Sequence, residues 1–114
     1  MSFLAIDAQK AYFTLQRNQL QFEMTVVMQT ALQNQKAMDA IKAQKVDDGN
    51  GGQTAYDYEN DPDYIAYEQM DEMLETEKDS LDSQIQLLDS EISSLKTMVN
   101  NNIKNSCTLN LIGG

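Results

Sequence analysis

The chain has 114 residues, a net charge of -10 and a mean hydropathy of -0.51, with 41% apolar residues, 7% aromatic residues and a single Pro. This length suits one domain, and the composition favours long helices over sheets. The negative charge excludes binding to nucleic acid or to anionic lipid, because both require a face rich in Lys and Arg.

Several classes of chemistry lack the residues that they need. The sequence has no His and one Cys, Cys107, which excludes a Cys/His zinc site, an internal disulfide and His-dependent nucleophilic catalysis. No Gly-rich phosphate loop precedes a Lys and Ser/Thr pair. We therefore expect a protein that is not an enzyme and has no cofactor.

The N-terminus carries no recognisable targeting segment. Residues 1–7 lack a basic region, and their apolar run stops after four residues, which argues against a Sec-type signal peptide. No stretch approaches the ~18 apolar residues of a membrane span. The location of the protein stays open: the sequence is compatible with the cytoplasm and with export without a cleaved signal.

Residues 1–45 are predicted to form the first long helix. One seven-residue apolar row is interrupted by Asn34, and a second row runs beside it. The first comprises Ile6, Phe13, Leu20, Val27 and Ile41, and the second Met24, Ala31 and Met38. Further apolar residues widen this stripe: Phe22, Val26, Met28 and Leu32. A broad apolar face suggests more than one partner helix, although a thicker core would explain it equally well.

Residues 46–61 are predicted to be a flexible acidic loop. Their first part, Asp47-Asp48-Gly49-Asn50-Gly51-Gly52, has the composition of a turn, and Tyr and acidic residues follow it. The tyrosines at 56, 58, 64 and 67 either form a contact patch or close this end of the fold.

Residues 62–105 are predicted to be the second long helix, with a tail at 106–114. Asp61 is placed to cap the helix, and Pro62 suits its first position. Leu recurs every seven residues, and a β-branched residue follows three of these leucines after four positions. The row comprises Leu74, Leu81, Leu88 and Leu95, with Ile85, Ile92 and Val99 as the β-branched set. This is the pattern of a coiled coil.

The predicted fold is all-α, a long antiparallel two-helix hairpin of the coiled-coil type. A parallel dimer has the same Leu and Ile/Val pattern, but the Gly-rich loop makes intrachain closure cheaper in entropy. Antiparallel pairing also brings Arg17 towards the region of Glu91. The predicted helix–helix interface consists of Phe13, Leu20, Met24, Val27, Ala31, Met38, Ile41, Tyr67, Leu74, Leu81, Ile85, Leu88, Ile92, Leu95 and Val99.

A calcium site is a minor alternative for the acidic segment. Carboxylates occupy five positions with nearly the spacing of an EF-hand loop: Asp57, Glu59, Asp61, Asp63 and Glu68. Pro62 stands where that loop needs Gly. A capped helix behind an acidic loop explains the same residues, so we predict no metal site.

The layout resembles small secreted helical-hairpin proteins of bacterial specialised secretion, namely type III needle subunits and the ESX family. The likeness rests on two helices at 3–45 and 62–105, a polar turn, and the polar run at 100–106. The ESX Trp-x-Gly turn is absent, and Tyr67 and Asp71 form a Tyr-x-x-x-Asp pattern at the start of the second helix, not after it. The resemblance implies a secreted assembly subunit.

Three functions remain open from the sequence. The first is a structural subunit that self-associates into an oligomer or filament through its helical stripes. The second is an acidic adaptor or secretion-chaperone-like module for a helical or basic protein partner. The third is a calcium-responsive coiled coil.

Overall fold

The structure is a computed structural model that describes the backbone of residues 2–113 and the side chains of residues 2–104. Helix α1 spans Phe3–Lys42 and helix α2 spans Pro62–Gly113. Between them lie strand β1, Lys45–Asp47, strand β2, Gln53–Ala55, and a short 3-10 helix, Tyr58–Asn60. The predicted all-α antiparallel helical hairpin is confirmed.

Both helices begin with the caps that their sequences provide. The Ser2 hydroxyl accepts a hydrogen bond of 3.2 Å from the Ala5 N–H at the start of α1. At the start of α2, Asp61 Oδ1 accepts the N–H groups of Asp63 and Tyr64 at 2.8 and 3.0 Å. These bonds satisfy amides that have no partner inside the first turn of a helix.

Helix α2 continues past its predicted end at residue 105 and through the predicted tail to Gly113. The Asn run at 100–102 suggested an end because Asn has a low helix propensity, but that preference amounts to under ~1 kcal/mol per residue and does not stop a long helix. Cys107 lies in this last stretch, outside the described side chains.

Helix α1 ends at Lys42, before its predicted end at residue 45, and Lys45 begins strand β1. The predicted loop 46–61 instead contains the rest of a two-stranded antiparallel hairpin and the 3-10 helix. Val46 pairs with Thr54. Gly49 and Gly51 both have a backbone φ of 81°, a value that residues with a Cβ rarely adopt. Asp48 Oδ1 accepts N–H groups from Asn50 at 2.8 Å and Gly52 at 3.1 Å. The turn residues thus close an ordered hairpin.

The chain divides into two compact units, each with one segment of α1 and one segment of α2, and unit 2 also contains the β-hairpin and the 3-10 helix. Unit 1 comprises Met1–Glu23 and Leu81–Gly114, and unit 2 comprises Met24–Ser80. Among the residues of unit 1 whose side chains are described, the buried core consists of Ile6, Leu81, Ile85 and Leu95. Those of unit 2 are Met24, Val27, Asn34, Met38 and Tyr64.

Candidate assembly surface

The predicted interface residues all lie on the inner faces of the two units. Six of the fifteen are buried and nine are half-buried, so none is exposed. The buried ones are Met24, Val27, Met38, Leu81, Ile85 and Leu95. The half-buried ones are Phe13, Leu20, Ala31, Ile41, Tyr67, Leu74, Leu88, Ile92 and Val99. Their burial is what two apolar rows covered by a neighbouring helix require.

Asn34 is a buried polar residue inside unit 2, with only 4% of its surface exposed. Its Nδ2 donates a hydrogen bond of 2.8 Å to the backbone carbonyl of Tyr67 and a longer one of 3.8 Å to Met38 Sδ. Its Oδ1 is buried without a hydrogen-bond partner among the described residues. The sequence indicates Asn34 only as a gap in an apolar row, whereas the structure makes it a polar link between α1 and α2.

An ion pair joins the two helices of unit 1. Arg17 Nε donates to Asp89 Oδ1 at 2.6 Å, and the two side chains are 35% and 50% exposed. The sequence placed Arg17 near Glu91, two residues further along α2. The pair fits the antiparallel arrangement of the two segments.

The acidic residues around the start of α2 serve as caps and turns. Besides capping α2, Asp61 accepts a short hydrogen bond from the Tyr56 hydroxyl through Oδ2. That bond and the two backbone N–H donors lower the pKa of Asp61, and the same contact raises the pKa of Tyr56. Asp57 accepts the side-chain amide of Asn60 at 2.7 Å.

The carboxylates that were considered as calcium ligands are not grouped in the described structure. Among the residues that the structure describes, no three Asp, Glu or Cys residues are placed to hold a metal ion. The five carboxylates of the proposed calcium loop therefore do not converge. Helix α2 begins at Pro62, so Asp63 and Glu68 lie in a helix and not in the loop that an EF-hand needs. The other three carboxylates are those of Asp57, Glu59 and Asp61.

The tyrosines close the hairpin end of unit 2. Tyr58 and Tyr64 meet edge to face at 5.0 Å between ring centroids. The Lys42 ammonium lies 5.6 and 5.7 Å from the same two centroids, and hydrogen bonding to Tyr64 raises the pKa of Lys42. Tyr64 is buried and Tyr58 is half-buried, which fits the predicted role of closing this end.

The outer face of α1 in unit 1 carries a second regular row, which the sequence analysis did not separate from the first. Its members lie two residues before or after the inner-row residues Ile6, Phe13 and Leu20, or about 160–200° around the helix, and all are exposed and uncharged. They are Leu4, Ala8, Ala11, Leu15, Asn18 and Phe22. We call this set the α1 outer row. Leu4 is 79% exposed and Phe22 is 70% exposed.

The outer face of α2 in unit 1 has a matching row, again two residues after the inner one. Its six side chains are exposed and uncharged, and most are small. They are Ser83, Leu87, Ser90, Ser94, Thr97 and Asn101. We call this set the α2 outer row. Both outer rows keep the 3-4 spacing of a helix that faces another helix.

The charge of the chain is concentrated in unit 2. Its residues 24–80 contain four Lys and thirteen Asp or Glu, a net charge of -9, whereas the residues of unit 1 contain four basic and five acidic side chains, a net charge of -1. Unit 2 also exposes apolar side chains, among them Met28, Leu32 and Met73, but acidic residues such as Glu72 and Glu77 flank Met73. Residues 24–35 of α1, which lie in unit 2, carry no charge either, so the negative charge of unit 2 lies in its other segments.

Phe22, Val26, Met28 and Leu32 do not thicken the core, since all four are exposed. The interpretation of the broad stripe on α1 as a thicker core is therefore wrong for these residues, and a further partner helix stays a prediction. Among the described residues, no helix is long and apolar enough to cross a membrane.

Comparison with known protein families, with curated proteins and with solved structures finds no match to this chain.

Proposed function

We propose that this protein is a non-enzymatic structural subunit whose copies associate through the exposed, uncharged surface of unit 1. An exported filament subunit is the form of this proposal that the resemblance to needle and ESX proteins favours.

The observation that carries the proposal is the α1 outer row. Leu4, Leu15 and Phe22 repeat at helical spacing, and more than half of the surface of each is exposed. Isolated exposed apolar side chains are ordinary, but a continuous row without charge is typical of a surface that another protein covers. In a chain with a net charge of -10, a face free of charge is also the face where copies repel each other least.

The energies favour association that depends on concentration. Full burial of a Leu or Phe side chain contributes about 1.5–3 kcal/mol, whereas bringing two proteins together costs roughly 4–15 kcal/mol. Three large side chains contribute about 4.5–9 kcal/mol in total, so the net gain is at most about 5 kcal/mol. This corresponds to a dissociation constant of a few hundred micromolar at best, so we expect assembly only at high micromolar concentration and not permanent dimers.

Light scattering over a concentration series tests the proposal. We expect the mass to rise above the 12.9 kDa of one chain as the concentration increases. Phe22→Glu, which replaces the largest side chain of the α1 outer row with a charge, is expected to hold the mass at that of one chain. Wild-type protein that stays at 12.9 kDa at high micromolar concentration would contradict the proposal.

Met73→Glu is the matched control. Met73 is 73% exposed, close to the value for Phe22, but lies in unit 2. The variant is therefore expected to assemble like the wild type, and circular dichroism should give the same helicity for both variants. Equal loss of assembly in the two variants would show that added charge, and not the α1 outer row, controls association.

The charge of unit 2 favours a second candidate function, an acidic adaptor for a basic partner. Its net charge of -9 would attract a Lys/Arg-rich protein over distances near the Debye length. Capture of such a partner at low salt and its release near 1 M salt would support this function. Retention at both salt concentrations would argue against it.

A further inference from the structure

We propose that Asn50, in the turn of the β-hairpin, is a site of spontaneous modification at which the side-chain amide is lost in water and the residue becomes aspartate or isoaspartate. Asn50 is followed by Gly51, and both residues are exposed. The change needs no enzyme, because the attacking group is the backbone nitrogen of the next residue. It is independent of the proposed self-association.

The chemistry closes a ring between the side chain and the main chain. The Gly51 nitrogen loses its proton and attacks Asn50 Cγ, a C–N bond forms, and the side-chain nitrogen leaves as ammonia. Water then opens the succinimide at either carbonyl. Opening at Cγ gives aspartate, and opening at the backbone carbonyl gives isoaspartate, in which the main chain runs through Cγ. No atom is oxidised or reduced.

The attacking nitrogen is free in the folded turn. The Gly52 N–H donates to Asp48 Oδ1 at 3.1 Å, whereas no hydrogen bond joins the Gly51 N–H to any residue that the structure describes. A Cβ placed on Gly51 would have no neighbour within 4 Å beyond the adjoining residues of the chain. Nothing else therefore crowds the approach of the Asn50 side chain.

The amide that leaves is free as well. The backbone N–H of Asn50 donates to Asp48 Oδ1 at 2.8 Å, but the Asn50 side chain makes no hydrogen bond to a described residue. A side chain held by hydrogen bonds has to break them before it can rotate towards the main chain, and each such bond opposes the rotation. Asn50 has none to break.

The preceding Asp48-Gly49 pair is the nearest competitor for the same ring closure. Its attacking N–H, on Gly49, donates to Asp47 Oδ1 at 3.0 Å. Asp48 Oδ1 itself accepts the N–H groups of Asn50 and Gly52. A carboxylate is also attacked less readily than an amide, because it carries a negative charge. The turn thus directs the reaction to Asn50.

Asn60 is the matched control within the chain, since it is also exposed. Its Nδ2 donates to Asp57 Oδ2 at 2.7 Å, and the following N–H, on Asp61, donates to the Tyr58 carbonyl at 3.0 Å. Both groups needed for ring closure are therefore engaged. Asn residues inside α1 and α2 precede N–H groups that are held in helical hydrogen bonds.

Conversion would alter the hairpin that the turn closes. It adds a negative charge beside Asp47 and Asp48, and isoaspartate lengthens the main chain within a turn whose length sets the pairing of Asp47 with Gln53. We expect the isoaspartate form to lose protection of the β1 and β2 amides against hydrogen exchange.

Peptide mapping by mass spectrometry of the full chain, incubated at mildly alkaline pH, tests the proposal. We expect the Asn50 peptide to appear as aspartate and isoaspartate forms, at least about ten times faster than the Asn60 peptide, where two hydrogen bonds must first break. Asn50→Ala removes the reacting amide and is expected to leave only the slow conversion at the other Asn residues.

The same incubation in urea separates the effect of the fold from that of the dipeptide. Unfolding should speed conversion at Asn60 and change the rate at Asn50 little, because Asn50 is already free in the folded chain. An Asn50 that stays intact in the folded protein and reacts only in urea would overturn the proposal. Equal rates at Asn50 and Asn60 in the folded protein would also overturn it.

Discussion

The side-chain amide of Asn34 donates a 2.8 Å hydrogen bond to the backbone carbonyl of Tyr67, and thereby joins α1 to α2 inside unit 2. A single buried Asn in an apolar row typically fixes the register of paired helices and reduces their stability. The buried Oδ1 without a partner among the described residues is the source of that destabilisation.

We expect Asn34→Leu to raise the free energy of unfolding by about 1 kcal/mol. It removes a buried unpaired oxygen, which costs about 1–3 kcal/mol, and loses a hydrogen bond worth about 0.5–1.5 kcal/mol. Urea unfolding followed by circular dichroism measures the change. Asn34→Asp, which buries a charge beside a carbonyl, serves as the control and is expected to destabilise. A loss of more than ~1 kcal/mol in Asn34→Leu would contradict this view of Asn34.

The Arg17–Asp89 pair is expected to contribute a coupling energy of only about 0.2–1 kcal/mol, because both side chains are partly exposed. A double-mutant cycle with Arg17→Ala and Asp89→Ala measures this energy. We expect the coupling to decrease in 1 M salt, where screening is stronger. A coupling of zero at low salt would contradict the expected contribution of the pair to stability.

The Tyr56–Asp61 contact predicts a pH dependence in the acid range. The lowered pKa of Asp61 means that the unfolded state binds its proton first as the pH falls. The stability that Asp61 contributes is thus complete above its ordinary pKa of 3.8 and is lost as the pH falls through the lower folded value. Tyr56→Phe should raise the pKa of Asp61 and flatten the acid slope of the melting temperature.

NMR titration of the Asp61 carboxyl provides the direct measurement for this contact. Tyr12→Phe is the control, because the Tyr12 hydroxyl accepts a hydrogen bond from Gln16 in α1 and does not touch Asp61. The same Asp61 pKa in wild type and Tyr56→Phe would show that the Tyr56 hydroxyl does not hold the carboxylate.

The turn of the hairpin provides a test of backbone geometry. Gly51→Ala places a Cβ on a residue with φ of 81°, which costs an L-residue about 1–2 kcal/mol. Asn50→Ala, at the neighbouring position with ordinary φ, is the control and should change little. Hydrogen exchange of the β1 and β2 amides reports the difference, and equal exchange in both variants would argue against this turn geometry.

The inner rows of the two helices were predictable because apolar residues at a 3.5-residue period leave few alternatives. Leu81, Ile85 and Leu95 were identified from spacing alone, and all three are buried. The cap at Asp61 was predictable for a similar reason, since Asp before Pro is a local signal that needs no tertiary information.

The α1 outer row could not be separated from the inner row by the same reasoning. Two rows with one period lie on one helix, and periodicity alone does not say which row faces the partner segment. Phe22 therefore looked like part of a wider stripe, whereas it is 70% exposed. The sequence signal for a separate outer row is the lack of charge at the five positions that precede Phe22 in the row. These positions are Leu4, Ala8, Ala11, Leu15 and Asn18.

Strands β1 and β2 were not predicted from the sequence. Each has three residues, too few for an alternating apolar pattern, and all six residues are exposed. Their pairing depends on the positive φ of Gly49 and Gly51 and on the side chain of Asp48, which become visible only in three dimensions.

The fluorescence of a single introduced Trp tests the central claim most directly, because the chain contains no Trp. Phe22→Trp places the reporter on the α1 outer row, and Met73→Trp places it at an equally exposed position in unit 2. We predict that the emission of Phe22→Trp shifts to the blue as the concentration rises into the high micromolar range, because a second copy covers the ring, while Met73→Trp does not change. An emission maximum of Phe22→Trp that stays at the value of a solvated indole up to high micromolar concentration would contradict self-association through unit 1.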